Sequence, residues 1–203
     1  MNPGEYIVIE GIDGSCKTTQ RDLLAESLKE DGYEVDVISE PGGTPIGSEI
    51  RGILKNASLE RSPESNFDLF TICRREIALQ VLPKLAMRGC VAISDRNWFS
   101  SVAYQGYGEG HSVDTIIERS KSALGQYAFP DRMIIIDLPL EAIAERLEQR
   151  GGASQDYFDS KGLDYFRKVS DGYKWLASWN QVSVVDGSKG ISEVQADIQE
   201  LLK

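Results

Sequence analysis

Cysteine is scarce in this 203-residue sequence: it occurs three times, at Cys16, Cys73 and Cys90. The odd number and irregular spacing exclude a disulfide framework and any metal-type or redox-type cysteine motif. Reduced thiols in a cytoplasmic protein are the expectation. Histidine is scarcer still. The single one, His111, sits in a glycine-rich loop and is not read as catalytic, so a Ser/His/Asp triad is excluded. No apolar run exceeds strand size, "MIII" at 133–136 being typical, so no bilayer span is expected. The opening "MNPGEYIVIEG" lacks the basic start and apolar stretch of a signal peptide. Lys and Arg number 22 against 32 Asp and Glu, a net charge of -10. That balance argues against sequence-independent nucleic-acid binding, which needs clustered cations.

Short apolar stretches alternate with longer amphipathic ones, which predicts an α/β domain with a parallel sheet covered by helices. Strands are expected at 6–10, 34–39, 90–94, 132–137 and 182–186. Helices are expected over 17–31, 45–56, 63–88, 98–105, 112–126, 139–150, 161–179 and 190–202. Pro63 follows Ser62 as a first-turn proline behind an N-cap, and Pro83 should kink or interrupt the long helix. The polar segment 151–162, bounded by glycine, reads as a lid. No repeat or linker divides the chain, so one domain over 1–203 is expected. Four strands end at or beside Glu10, Asp95, Asp137 and Asp186, and the fifth ends one residue before Glu40. Carboxyl ends of parallel strands are where such folds place ligands.

"GIDGSCKTT", from Gly11 to Thr19, follows the first strand and opens a helix, the context of a phosphate-binding loop. Gly11, Ile12, Asp13, Gly14, Ser15, Cys16, Lys17, Thr18 and Thr19 would surround a polyphosphate with backbone donors. Lys17 would neutralise charge between the β- and γ-phosphates of ATP, and Thr18 would face Mg²⁺. Cys16 stands where the pattern wants a second glycine. A side chain there is tolerable if φ stays negative, so a negative φ is expected, at some cost in affinity.

With that loop, "EPGGTPIGSEIR" (40–51), "SPESNFDLFTICRRE" (62–76) and "DRNWFSSVAYQG" (95–106) closely resemble the signature segments of thymidylate kinases, in the same order and spacing over residues 5–180. The resemblance implies a P-loop NTPase-type five-stranded parallel sheet with helices on both faces and a short lid at about 150–162. It implies transfer of a phosphoryl group from ATP to dTMP, with Mg²⁺, for dTTP synthesis. It also implies a homodimer, for which the apolar stretches in 66–90 and 112–126 could serve. By the same resemblance Asp13 bonds the dTMP 3′-hydroxyl and Arg96 holds its phosphate. Asp95 orients Arg96 or reaches the Mg²⁺ shell, directly or through water. Phe70 stacks on thymine, Arg74 and Ser101 bond the base, Tyr104 crowds a ribose 2′-hydroxyl, and Gln105 lies nearby. Glu40 and Pro41 flank the acceptor, and Arg51 is a second phosphate ligand or a surface ion pair. Asp13 as a helix cap and Asp95–Arg96 as a structural ion pair stay open as alternatives.

Besides Cys16, several positions depart from the family, Ser39 among them, which replaces an arginine common just before Glu40. Gly14 occupies the loop position where some members carry a transition-state arginine, which directs attention to the lid. The lid has Asp156-Tyr157 where an Asp-Arg pair is common, leaving Arg150 as the best candidate for that charge. The alternatives are a related nucleoside or nucleotide kinase of the same fold, or a nucleotide-binding module without turnover. A GTPase is excluded, since no Asn-Lys-x-Asp guanine reader occurs.

Overall fold

The computed structural model describes residues 1–149 and 161–203. Five parallel strands form one sheet in the order β2-β3-β1-β4-β5: β1 (Tyr6–Gly11), β2 (Val35–Ser39), β3 (Val91–Asp95), β4 (Arg132–Asp137) and β5 (Val182–Asp186). All five expected strands are present within a residue or so. The central β1 is buried throughout, which is why its sequence, apart from Glu10, reads as a continuous apolar run rather than an alternation.

Alternate β1 side chains divide the core between the two faces. Ile7 and Ile9 pack with Leu24, Leu28, Val194 and Ile198, which come from α1 (Lys17–Glu30) and α9 (Ile191–Glu200). Tyr6 and Val8 face Ile77, Leu82 and Leu85, from α3 (Pro63–Gln80) and α4 (Leu82–Met87). Each such apolar side chain, fully buried, contributes about 1.5–3 kcal/mol. The helix predicted over 63–88 is therefore two helices. Pro83 lacks an N–H and disturbs the preceding turn, and the break falls at Val81, with φ -108° and ψ -65°. As expected, the Ser62 hydroxyl accepts from the Ser65 N–H at 3.2 Å, with Pro63 in the first turn.

On the same face lie α6 (Val113–Leu124) and α8 (Leu163–Ala177); α2 (Pro45–Lys55) packs on α3, and α7 (Leu140–Gln149) follows β4. The helix predicted over 98–105 is corrected. It runs as α only over α5 (Trp98–Ser101) and continues as a π-helical turn, Val102–Gly108. Such widened turns occur at functional sites and re-aim side chains. α8 lies close against this turn at Gly172, where a Cβ would come within 2.7 Å of the Ala103 Cα. The lid expected at about 150–162 falls on residues outside the described ones up to 160, and so does Arg150. No described helix is long and apolar enough to cross a membrane.

Candidate functional site

Strand register brings the carboxyl ends together. Asp95 lies beside Ile9 on one side and Ser39 on the other, so β1, β2 and β3 all end at one cleft. The cleft holds about 460 Å³ and is bordered by Asp13, Gly14 and Cys16–Thr19 on one lip. Glu40, Pro41, Arg51, Phe70 and Arg74 border the other, and Asp95, Arg96, Ser101, Tyr104 and Gln105 form the floor and back. Of the loop residues singled out in the sequence, Gly11, Ile12 and Ser15 lie beneath. Ile12 joins the apolar core, and its carbonyl accepts from Lys17 Nζ at 2.8 Å.

Lys17 is buried, and its ammonium also reaches Ser15 Oγ at 3.4 Å. Burial, followed by the nearby Arg96 charge, pulls its pKa down to about 8. Thr18 Oγ1 donates to Asp95 Oδ2 at 2.6 Å, while Asp95 Oδ1 is buried with no hydrogen-bond partner. A hydroxyl beside an unsatisfied carboxylate oxygen is a donor set suited to a hard divalent cation.

Cys16 requires a correction. It has φ 62° and ψ 23°, in the left-handed region, not the negative φ expected. The loop keeps the backbone path that glycine favours, and the cysteine carries the strain. Its thiol approaches the Gly14 carbonyl at 3.7 Å. Cys16→Gly removes about 1–2 kcal/mol of strain but loosens the unfolded chain by about 0.4–1 kcal/mol. The net effect should raise Tm by ~1–4 °C, measurable by scanning calorimetry. A fall in Tm would mean that thiol contacts outweigh the strain.

Arg96 is the centre of the site. Its φ is also positive, 77°, a strained conformation of the kind that clusters where function demands it. Its Nη2 donates to Asp13 Oδ1 at 2.6 Å, and its Nη1 to the Gly11 carbonyl, Ser100 Oγ and the Tyr173 hydroxyl at 2.8–3.0 Å. The Tyr104 hydroxyl donates to Asp13 Oδ2 at 2.7 Å and accepts from the Asp13 N–H at 3.0 Å. Burial disfavours the Asp13 carboxylate, but Arg96 and Lys17 outweigh it and hold the pKa at about 2. Neither open alternative stands: Asp13 does not cap the helix, and Asp95 turns to Thr18 rather than to Arg96.

Across the cleft, Arg74 Nε donates to Glu40 Oε1 at 2.5 Å and its Nη2 to Ser101 Oγ at 2.8 Å. Its Nη1 is buried without a partner. Burial lifts the Glu40 carboxyl to about 6 despite Arg74. The Arg74 guanidinium carbon lies 5.9 Å from the Phe70 ring centroid, so the i, i+4 spacing does place both on one face. Arg51 donates to the Pro41 carbonyl at 2.7 Å, fixing the 40–43 turn rather than forming a surface ion pair.

Sequence reasoning missed the residues that hold Arg96. Glu10 is fully buried at the end of β1 and accepts from the Asn97 and Ser100 N–H groups, Ser100 Oγ and the Tyr173 hydroxyl at 2.6–3.1 Å. A carboxylate ending an otherwise apolar buried strand was the available signal for Glu10. Tyr173, on α8, carried none.

The comparisons agree with this architecture. The family model described as thymidylate kinase matches residues 9–198. The chain is 33% identical over 211 residues to the thymidylate kinase of Prochlorococcus marinus (strain NATL1A), covering 98% of each. It is 34% identical over 201 residues to that of Carboxydothermus hydrogenoformans, covering 98% of this chain and 97% of the relative. Among solved structures it is similar to the crystal structure of thymidylate kinase from Ehrlichia chaffeensis, with a TM-score of 0.78, 28% identity and 98% of each chain covered.

Proposed function

The chain belongs to the thymidylate kinase family, and from that premise we propose how its residues divide the transfer of a phosphoryl group from ATP to dTMP. The products are dTDP and ADP. One observation supports the assignment of roles: one cleft is lined by Lys17 on the loop, by Arg96, which holds Asp13, and by Arg74.

On the donor side, the N–H groups of 11–19 and the start of α1 receive the ATP phosphates, with Lys17 against the transferring group. Thr18 and Asp95 hold Mg²⁺, directly or through water; the unsatisfied Asp95 Oδ1 supports this. No cluster of three or more His, Cys, Asp or Glu exists among the described residues. Mg²⁺ does not need one, because it takes one or two carboxylates plus phosphate oxygens. When bound, it offsets the charge that develops on those oxygens.

On the acceptor side, Arg96 takes the dTMP phosphate and Asp13 the 3′-hydroxyl. Tyr104 packs against the sugar, and Phe70, Arg74, Ser101 and Gln105 receive the base. Glu40 and Pro41 shape that wall, braced by Arg51. A phosphate monoester is already an oxyanion, so alignment and charge neutralisation suffice without a general base. Arg150 is proposed to add its charge from the lid.

The test is ADP release with dTMP, dUMP, dCMP and thymidine as acceptors, with Mg²⁺ or with EDTA. We expect dTMP to be the best acceptor and EDTA to abolish turnover. A preference for thymidine over dTMP would overturn the role of Arg96, and turnover in EDTA that of Thr18 and Asp95. We further propose a cytoplasmic homodimer packed through α3 and α4, where Ile72, Leu79 and Met87 remain exposed. The molar mass in solution decides the dimer.

A further inference from the structure

Beside the cleft lies a buried polar group whose members other than Gln105 have no role above. Gln105 borders the cleft, yet its Nε2 is buried. Both oxygens of Glu109, Nδ2 of Asn66 and Nε2 of His111 are buried too, and none of these five atoms has a direct hydrogen-bond partner. Burial pushes the Glu109 carboxyl up, while Lys161, His111, Gln105 and Asn66 act on it in the opposite direction.

The chemistry of the group is matched. Asn66 is fixed in orientation, because Arg61 Nε donates to its Oδ1 at 2.6 Å and leaves Nδ2 as the inward atom. An ionised carboxylate accepts only, whereas an amide offers both a donor and an acceptor. Glu109 therefore faces two NH₂ groups with a side chain that can satisfy either and cannot be satisfied by a carbonyl. The π-helical turn makes this possible. It carries Gln105, and Glu109 follows directly after it, with the Glu109 N–H donating to the Tyr104 carbonyl at 3.0 Å and the His111 N–H to the Gln105 carbonyl at 3.0 Å.

We propose that Glu109 is a positioning residue for Gln105: it accepts from the amide nitrogen, directly or through one ordered water, and so turns the amide carbonyl toward the cleft. The idea rests on the acceptor-side reading above and extends it to base selection. A carbonyl facing the base edge accepts the ring N–H of thymine or uracil and repels the ring lone pair of cytosine. Without Glu109 the amide can rotate by half a turn, because that torsion is broad and roughly two-fold.

The test is calorimetric titration of dTMP and dCMP, with steady-state kinetics, for wild type, Glu109→Ala, Gln105→Ala and the double variant. Glu109→Ala should weaken dTMP binding about tenfold and narrow the dTMP-over-dCMP preference by a similar factor. ATP KM and kcat should stay within about threefold. In the Gln105→Ala background, Glu109→Ala should add nothing to either effect. Glu109→Gln keeps the shape but no longer dictates which way the partner amide turns; it should lose the base preference while keeping Tm, which guards against a misfolded alanine variant. An undiminished effect of Glu109→Ala in the Gln105→Ala background would overturn the proposal, as would an unchanged base preference in Glu109→Gln. A wild type that binds no dTMP would instead overturn the acceptor-side reading itself.

Discussion

Arg96→Ala should lower kcat/KM for dTMP by roughly 10³-fold, while KM for ATP moves little. Loss of a single preorganised donor to developing charge costs ~10²–10³ in rate, and Arg96 presents a fork of donors. Its carboxylate partners are Asp13 at 2.6 Å and Glu10 at 3.9 Å. Stripped of the guanidinium, the Glu10 and Asp13 carboxylates lose their hydrogen-bonded or nearest cation, a loss of about 3–5 kcal/mol for a buried pair. The alanine variant should therefore also melt earlier. Arg96→Lys separates the two effects. It restores a positive charge but not the planar fork that reaches Asp13 and the Gly11 carbonyl together. Most of the melting temperature should return, and most of the activity should not. Steady-state kinetics with calorimetry on both variants checks this, and an alanine variant with wild-type kcat/KM for dTMP would remove Arg96 from the acceptor site.

Lys17→Ala should reduce kcat by ~10²–10³ and leave the fold as stable as before, or more so. The two halves of that prediction have one cause. Burial and Arg96 disfavour the ammonium, which is why its pKa falls to about 8. The sign follows. A base whose pKa is lower folded than unfolded weakens folding most while it is protonated, below about 8, and the penalty fades as pH rises toward the ordinary lysine value. Removing the side chain abolishes that pH dependence. Its 2.8 Å bond to the Ile12 carbonyl is also lost, so the gain in Tm is small. Thermal unfolding of wild type and variant between pH 7 and 10 reads the difference, and a variant with a lower Tm at pH 7 would contradict the account.

What could be read ahead of the structure was whatever lay contiguous in the chain. Gly11, Lys17 and Thr18 sit on one loop-to-helix junction, and Phe70 and Arg74 on one helix face, so spacing alone placed them. The strands were legible because their apolar runs end where acidic residues begin. Contacts between distant segments were not. Tyr173 lies 77 residues from Arg96 in sequence and reaches it only because α8 packs against the π-helical turn. The sequence of that turn reads as ordinary helix, since nothing in "SVAYQGYG" distinguishes the two. At Cys16 the presence of a side chain predicts a negative φ. The loop imposed a left-handed conformation instead, because tertiary packing of β1 and α1 outweighs one residue's preference.

The Asp13–Arg96 pair has a consequence for how quickly the cleft turns over. Before any substrate arrives, the guanidinium already holds an anion, and the Tyr104 hydroxyl ties that anion to the floor. On the proposed role of Arg96, an entering phosphate would displace or share a carboxylate rather than fall into an open well of positive charge. In that role the cleft would work as an ion exchanger: each arrival would swap one negative partner for another, and each departure would be assisted by a carboxylate waiting to return. Such a site trades tight capture for easy release, which favours an enzyme whose product carries one phosphate more than its substrate.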